Sequence, residues 1–240
     1  MENMIKEEAL LVRVMDLFAR KFDRKAVLRG GMGLRILGCE RLTNDLNYVF
    51  IPFKSKKDIV EDVISALKEI DGAKIDYSFN SKCLRVVLKV GDTSIQIEAK
   101  VAMGVPVQII PNKELAIKFN LQPRLIPVVE YSVALANKMA AWNERRLARD
   151  VYDIWFYLTM GVKPNIKTLK ERLKKPAYSK LVRKSDYFNG SGVEEFYDFL
   201  RMKIRDITDK EIENSLSDYL KKDDIAGLSM KFRAELAKLK

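Results

Sequence analysis

The chain has 240 residues, of which 48% are hydrophobic, so it can bury a core without disulfide support. Its net charge of +11 favours a polyanionic partner, and the absence of histidine excludes Ser-His-Asp and Cys-His hydrolases and the common zinc centres. No apolar run approaches the roughly 20 residues of a membrane span, and the N-terminus is too charged for an export signal. The two cysteines do not suggest a disulfide framework, so these features together predict a cytoplasmic protein.

The first half of the sequence predicts a mixed α/β region. Apolar residues at helical spacing, among them Ile5, Leu10 and Phe18, predict an opening helix over residues 5–22. A brief helix is expected directly after Gly30 and Gly31. The remaining predicted elements are strands over residues 46–51, 74–79, 84–90 and 94–101 and a helix over residues 56–70, with a hairpin turn at Gly91-Asp92.

The second half predicts helices alone. From about residue 112 onward we expect no strands, and the predicted helices cover residues 130–143, 145–160, 165–175 and 193–205. The segment 121–127, which contains Pro123 and Pro127, is the predicted seam. The expected organisation is therefore an α/β domain over residues 1–125 and a helical domain over residues 126–240.

A glycine-rich stretch followed by a polar strand start is the first candidate site. Gly30 and Gly31 allow the backbone to approach a phosphate closely. Asp45 and Asn47 alternate on the next predicted strand, so both side chains project from one face, as oxygen ligands of Mg²⁺ would. An ordinary glycine turn followed by a strand with outward polar residues explains this short pattern equally well.

A charged helical stretch is the second candidate. Lys138, Arg145, Arg149, Asp150 and Asp153 recur at spacings that place most of them on one side of successive helical turns. Ion pairs on a solvated helix are the simpler interpretation. Flanking aromatic residues favour partial burial, where an unpaired charge is costly unless it has a function.

Together, these two stretches, over roughly residues 26–160, resemble the AbiEii/AbiGii family of nucleotidyltransferase toxins. The family pattern combines a Gly-Gly-Ser/Thr loop, an Asp-x-Asp pair and a helical block with lysine, arginine and two aspartates. The resemblance implies an α/β (α+β) fold, with a nucleotidyltransferase-type mixed sheet in an N-terminal lobe and an all-helical C-terminal lobe. It also implies transfer of a nucleotidyl group from a nucleoside triphosphate to an acceptor, with the 3' end of tRNA as the expected acceptor and an antitoxin protein as a partner.

The resemblance also assigns roles to residues. Asp45, Asn47 and Glu98 would hold Mg²⁺, with Asp45 and Glu98 as catalytic carboxylates. Residues Gly30, Gly31, Lys138, Arg145 and Arg149 would contact the nucleotide. Lys138 and Asp150 complete the implied catalytic set, the latter as an acidic helper on its helix.

Two positions depart from the family pattern. Met32 replaces the hydroxyl residue of the glycine loop, and Asn47 replaces the second aspartate, so one ligand charge is lost. Because a divalent ion interacts strongly with each nearby carboxylate, a weaker metal site is expected. A catalytically impaired relative that serves as a nucleic-acid-binding or regulatory module is therefore the main alternative, and a partner-binding scaffold is the third.

A basic segment over residues 163–184 is the third candidate. It contains nine lysines and arginines and a single acid, Glu171. Tyr178 lies within it, and rings beside lysines suit unstacked nucleotides next to phosphates. The segment thus favours RNA as the polyanion, although a solvated lysine-rich helix explains it equally well.

Overall fold

The computed structural model describes residues 2–177, 187–190 and 192–239. The chain forms two compact units, Met1–Glu130 and Tyr131–Lys240. Within the described residues, each helix is either too short or too polar to cross a lipid bilayer.

The first unit combines helices with a seven-stranded sheet. Its helical elements are α1 Glu2–Phe22, a 3-10 turn Asp23–Lys25, α2 Gly31–Arg35, α3 Lys57–Leu67 and α4 Lys113–Lys118. Its strands are β1 Ala26–Arg29, β2 Asp45–Phe50, β3 Ala73–Phe79, β4 Leu84–Val90, β5 Thr93–Val101, β6 Val107–Pro111 and β7 Leu125–Val129. The sheet is mixed, in the order β3-β4-β5-β2-β1-β7-β6, with β2 parallel to β5 and β1 parallel to β7.

The alternation of apolar and polar side chains along β2 shows which face of the sheet packs against the core. Leu46, Tyr48 and Phe50 are buried. Phe18 of α1 packs on this face, with ring centroids 5.1 Å from Tyr48 and 6.1 Å from Phe50. Because side chains alternate along a strand, Asp45 and Asn47 project from the opposite face, which carries the polar residues.

Most predicted elements of the first unit are confirmed. The strands β2, β3, β4 and β5 and the helix α3 lie within one to three residues of the predicted bounds, and β4 and β5 form the predicted hairpin. One assignment within α1 is wrong: Ile5, which we placed on the apolar stripe, is 48% exposed. The buried stripe of α1 begins instead at Leu10 and includes Phe18.

The expectation of no strands after residue 112 is wrong, and β6 was not predicted. β7 lies inside the sheet, beside β1, and pairs antiparallel with β6, where Pro127 lies opposite Ile109. Prolines cannot donate to a strand ladder, so Pro111 and Pro127 conceal the strand pattern in the sequence. What we interpreted as a seam is thus partly a strand of the first unit.

The regular elements that the structure describes in the second unit are all helices, as predicted. The helices are α5 Tyr131–Arg145, α6 Ala148–Thr159, α7 Ile166–Lys174, α8 Val193–Arg205, α9 Asp209–Leu216, α10 Lys222–Ile225 and α11 Leu228–Leu236. Trp142 of α5, Phe196 of α8 and Phe232 of α11 are nearly inaccessible to solvent and contribute large side chains to the core. This unit therefore has its own hydrophobic core.

Candidate active site

Four neighbouring strands place one row of polar side chains on the polar face of the first unit's sheet. Asn47 of β2 lies beside Arg29 of β1 on one side and beside Glu98 of β5 on the other. Glu98 in turn lies beside Arg85 of β4. Since adjacent strands are about 4.8 Å apart, these residues are immediate neighbours, and Asp45 lies two residues from Asn47 on the same face.

The glycine loop passes directly against the start of β2. Gly30 has a φ of 77°, and a Cβ at this position would lie 3.2 Å from Nδ2 of Asn47. A Cβ on Gly31 would lie 2.9 Å from Oγ1 of Thr43 and 3.1 Å from Nη2 of Arg41. Side chains are therefore excluded at both glycines, which allows the loop backbone to reach the polar residues beside Asn47.

A hydroxyl group lies beside the glycine loop although Met32 replaces the expected one. Met32 is fully buried. Thr43, which lies two residues before the start of β2, is also largely buried, and its Oγ1 donates to Oδ1 of Asp45 at 2.7 Å. Thr43 thus orients the first predicted metal ligand and supplies a hydroxyl next to Gly31.

Glu98 has two oxygens in different environments. Its Oε1 accepts from Nη2 of Arg85 at 3.0 Å and from Nε2 of Gln96 at 3.2 Å. Its Oε2 accepts no hydrogen bond from any residue in the described part of the chain. The Glu98 side chain is 23% exposed and that of Arg85 is 45% exposed, so solvent reaches this ion pair.

Cations outnumber carboxylates on this part of the sheet. Lys100 follows Glu98 by two residues and projects from the same face, near Arg29. Burial lowers the pKa of Lys100, and the neighbouring Arg29 lowers it further. With Arg85, three basic residues therefore share this face with the carboxylates of Asp45 and Glu98, an arrangement that suits a polyanionic ligand.

The donor set fits one hydrated Mg²⁺ but is short of charge. Asp45, Asn47 and Glu98 offer two carboxylates and an amide oxygen at neighbouring positions of one sheet face. Mg²⁺ uses one or two protein carboxylates and takes its other ligands from phosphates and water. Within residues 2–177, 187–190 and 192–239, no three Asp, Glu, Cys or His side chains form a metal-binding group, which agrees with Asn47 in place of an aspartate.

The charged stretch of the second unit forms a buried ion-pair cluster between α5 and α6. Arg145 binds both oxygens of Asp150 at 2.6 Å each. Lys138 pairs with Asp153 and lies 3.7 Å from Oδ1 of Asp150. Both aspartates are fully buried, whereas the side chains of Lys138 and Arg145 are 17% and 23% exposed. The cluster thus has two acidic and two basic side chains, and the basic ones are the more exposed to solvent.

Arg149 differs from the other basic residues of this stretch. It lies in the first turn of α6 and is partly exposed. It makes no hydrogen bond or ion pair with the residues that the structure describes. Unlike Lys138 and Arg145, Arg149 therefore has no ion pair with a described residue that would compete with a bound phosphate.

The basic segment is only partly described, because residues 178–186, including Tyr178, Arg183 and Lys184, lie outside the described residues. In the described part, α7 buries Leu169 and Leu173 and exposes a row of lysines, which we call the α7 lysine face: Lys167, Lys170 and Lys174. None of the three makes an ion pair with a described residue. This face is therefore a row of three exposed lysines about 10 Å long, with Glu171 as the exposed acidic residue of the same helix.

Sequence reasoning missed the residues that support the site. Thr43 and Gln96 each lie two residues before a predicted ligand, so strand alternation alone could have placed them on the same face. The two-residue turn at Gly91-Asp92 fixes the register of the β4–β5 hairpin and could have paired Arg85 with Glu98.

A further missed residue is Glu144, buried at the end of α5. Its carboxylate binds Arg172 at 2.7 Å and accepts from the backbone N–H of Ala177 at 2.9 Å. It therefore anchors the C-terminal end of α7. No spacing rule in the sequence connects Glu144 to Arg172.

The fold is shared with solved structures of low sequence identity. JHP933 from Helicobacter pylori has a TM-score of 0.56 at 14% identity, with 99% of this chain and 91% of that chain covered. A putative nucleotidyltransferase from H. pylori has a TM-score of 0.55 at 12% identity, covering 99% and 94%. MenT4, a nucleotidyltransferase toxin from Mycobacterium tuberculosis H37Rv, has a TM-score of 0.53 at 13% identity, covering 96% and 94%.

No curated protein matches the chain at a significant level. The family model described as "Nucleotidyl transferase AbiEii toxin, Type IV TA system" matches residues 13–236, which is nearly the whole chain. The predicted fold class and the predicted resemblance are thereby confirmed. The chain belongs to the AbiEii nucleotidyl transferase toxin family.

Proposed function

We propose that this chain is a magnesium-dependent nucleotidyltransferase that transfers a nucleotidyl group from a nucleoside triphosphate to RNA. The observation that carries the proposal is the sheet register, in which Asn47 and Glu98 are direct neighbours and Asp45 lies on the same face beside the glycine loop. This arrangement supports a single oxygen-ligand site against which a triphosphate can lie.

In the proposed reaction, a hydroxyl oxygen of the acceptor loses its proton and forms a bond to the α-phosphorus. The bond from the α-phosphorus to the oxygen that bridges it to the β-phosphate breaks, which releases pyrophosphate. Mg²⁺, when bound, would neutralise charge that develops on the phosphate oxygens. Asp45 and Glu98 would hold that ion, and Asn47 would supply a neutral oxygen ligand. Carboxylates and basic groups suffice for this chemistry, which agrees with the absence of histidine.

The basic groups around α5 and α6 are proposed to bind phosphates. Arg149 is available for this role, whereas Lys138 and Arg145 are partly exposed and would bind a phosphate while they keep their ion pairs with the buried aspartates. Asp150 is proposed to orient Arg145, because it accepts two hydrogen bonds from that guanidinium. These assignments rest on the family resemblance and on the exposure of the basic groups.

RNA as the acceptor is supported by charge. The α7 lysine face is exposed and makes no ion pair with a described residue, and the chain as a whole has a charge of +11. Phosphate contacts dominate nucleic-acid affinity, so such a surface suits an RNA backbone. We propose the 3' end of tRNA as the acceptor, a cytoplasmic site of action, and an antitoxin protein as the partner that the family's toxin-antitoxin character implies.

A second candidate function is a nucleic-acid-binding or regulatory module without catalysis. The observations that favour it are the missing carboxylate at Asn47 and the ion pair that already occupies Oε1 of Glu98. A protein of this kind would bind RNA through the α7 lysine face and would have no need of Mg²⁺.

Titration of labelled nucleoside triphosphates with and without Mg²⁺ distinguishes the two candidates. The transferase predicts triphosphate binding that strengthens with Mg²⁺ and loses this response in Asp45→Ala. RNA binding that persists while the triphosphate does not bind, with or without Mg²⁺, would favour the non-catalytic module. An exposed control, Asp58→Ala on α3, should leave the Mg²⁺ response unchanged.

A further inference from the structure

Glu98 is the one predicted ligand that already binds a protein cation. Both hydrogen bonds to its carboxylate, from Arg85 and Gln96, end on Oε1. Oε2 accepts none from the described residues. A metal ion can therefore approach Oε2, but it would meet the positive charge of Arg85 on the other side of the same carboxylate.

Arg85 can also exchange Glu98 for another partner. Its side chain is 45% exposed, and the Glu98 ion pair is its hydrogen-bonded contact in the described structure. Exposed ion pairs are weak, so exchanging one partner for another has a small cost. A phosphate that bridges to a metal on Glu98 would lie within reach of this guanidinium, which suits paired hydrogen bonds to phosphate oxygens.

We propose that Arg85 changes partners as the site fills: it neutralises Glu98 in the metal-free chain and binds a phosphate of the nucleotide once a divalent cation takes over Glu98. This inference rests on the proposed metal site and assigns Arg85 a role that the metal ligands alone do not imply. The exchange makes metal and triphosphate binding mutually reinforcing. Metal binding to Glu98 releases Arg85 for a phosphate, and phosphate binding to Arg85 frees the Glu98 carboxylate for the metal.

The proposal predicts two different effects of Arg85→Gln on the full-length chain. Mn²⁺ alone should bind about two- to fivefold more tightly than to wild type, the range expected when an exposed ion pair no longer competes with the metal for Glu98. The Mn²⁺–tripolyphosphate complex should bind no more tightly than to wild type, because the variant has lost a phosphate contact. Electron paramagnetic resonance of free Mn²⁺ and equilibrium binding of labelled tripolyphosphate measure the two affinities.

Lys89→Gln is the matched control. Lys89 lies on β4, projects from the same face as Arg85 and makes no ion pair with a described residue. It is four residues from Arg85, about 13 Å along the strand, beyond the screening length of about 8 Å in physiological salt. The control should change both affinities by less than about twofold.

Glu98→Gln tests whether Arg85 acts through this carboxylate. In the Glu98→Gln background, Arg85→Gln should no longer tighten Mn²⁺ binding, because no ion pair remains to be released. Equal tightening of Mn²⁺ and of its tripolyphosphate complex in Arg85→Gln would overturn the partner exchange, as would unchanged or weaker Mn²⁺ binding. The same gain in both backgrounds would also overturn it.

Asp45→Ala separates this inference from the proposed function. If wild type binds Mn²⁺ through Asp45 but Arg85→Gln behaves like wild type, the partner exchange fails and the metal site stands. If neither wild type nor Arg85→Gln binds Mn²⁺ in an Asp45-dependent way, both the metal site and the exchange fail.

Discussion

Asn47→Asp restores the carboxylate that the family pattern contains and is the most informative single change. Without metal, the new charge would lie between Arg29 and Glu98 on the ladder. Each cross-strand charge pair contributes about 0.2–1 kcal/mol, and the two are opposite in sign. Because Arg85 already compensates Glu98 at 3.0 Å, the metal-free stability should stay within about 1 kcal/mol of wild type.

When Mg²⁺ is bound, the carboxylate added by Asn47→Asp is expected only to tighten metal binding. A unit charge about 4 Å from a divalent ion gains about 2 kcal/mol even at the dielectric constant of water. Allowing for loss of solvation, we expect about 1–2 kcal/mol, or roughly a 5- to 30-fold tighter Mg²⁺ site. At saturating Mg²⁺ this difference appears as added stability, equivalent to a rise in Tm of about 2–8 °C.

The assay is thermal unfolding across a Mg²⁺ titration. Asn120→Asp adds the same charge at an exposed position of the loop between α4 and β7 and reports the nonspecific response to cations. Asp45→Ala combined with Asn47→Asp should remove the specific response. If Asn47→Asp is destabilised by several kcal/mol and responds to Mg²⁺ no more than Asn120→Asp, the three positions do not form a metal site.

Three other predictions follow from the described contacts. Replacing the lysines of the α7 lysine face by glutamate should reduce the slope of log K against log [salt] for RNA binding by about 2, and an unchanged slope would remove this face from the interface. Glu144→Gln breaks a buried pair with Arg172 and should cost about 3 kcal/mol in chemical denaturation, against less than about 0.5 kcal/mol for the exposed Glu171→Gln. Burial raises the pKa of Tyr197 to about 12 from 10.0, so its contribution to stability is complete below pH 10 and is lost as the pH rises toward 12. Tyr197→Phe should therefore lose less stability over that range than wild type, and parallel pH profiles would contradict this.

The sequence predicted local structure wherever side-chain periodicity was undisturbed. The hairpin of β4 and β5 could be predicted because Gly91-Asp92 forms a two-residue turn between two strands with alternating apolar and polar side chains. β6 and β7 were not, because Pro111 and Pro127 interrupt the pattern that identifies a strand. Their place in the sheet depends on pairing between distant segments, which local propensity does not report.

The same distinction applies to the candidate site. That Asp45 and Asn47 share a face follows from alternation along one strand. That Glu98 lies directly beside Asn47 depends on the parallel register of β2 and β5, which connects residues about 50 positions apart. The charged residues of α5 and α6 could be placed on turns of helix, but the burial of Asp150 and Asp153 is a consequence of helix packing that spacing does not reveal.

Transfer of labelled phosphate from nucleoside triphosphates to RNA tests the central claim most directly. The four triphosphates, labelled at either the α- or the γ-phosphate, would be incubated with the chain, Mg²⁺ and tRNA. We predict that label from the α position, but not from the γ position, enters RNA with at least one triphosphate, and that Asp45→Ala and removal of Mg²⁺ abolish the transfer. Failure of every α-labelled triphosphate to label RNA, in a preparation that binds both triphosphate and tRNA, would contradict nucleotidyl transfer to this acceptor.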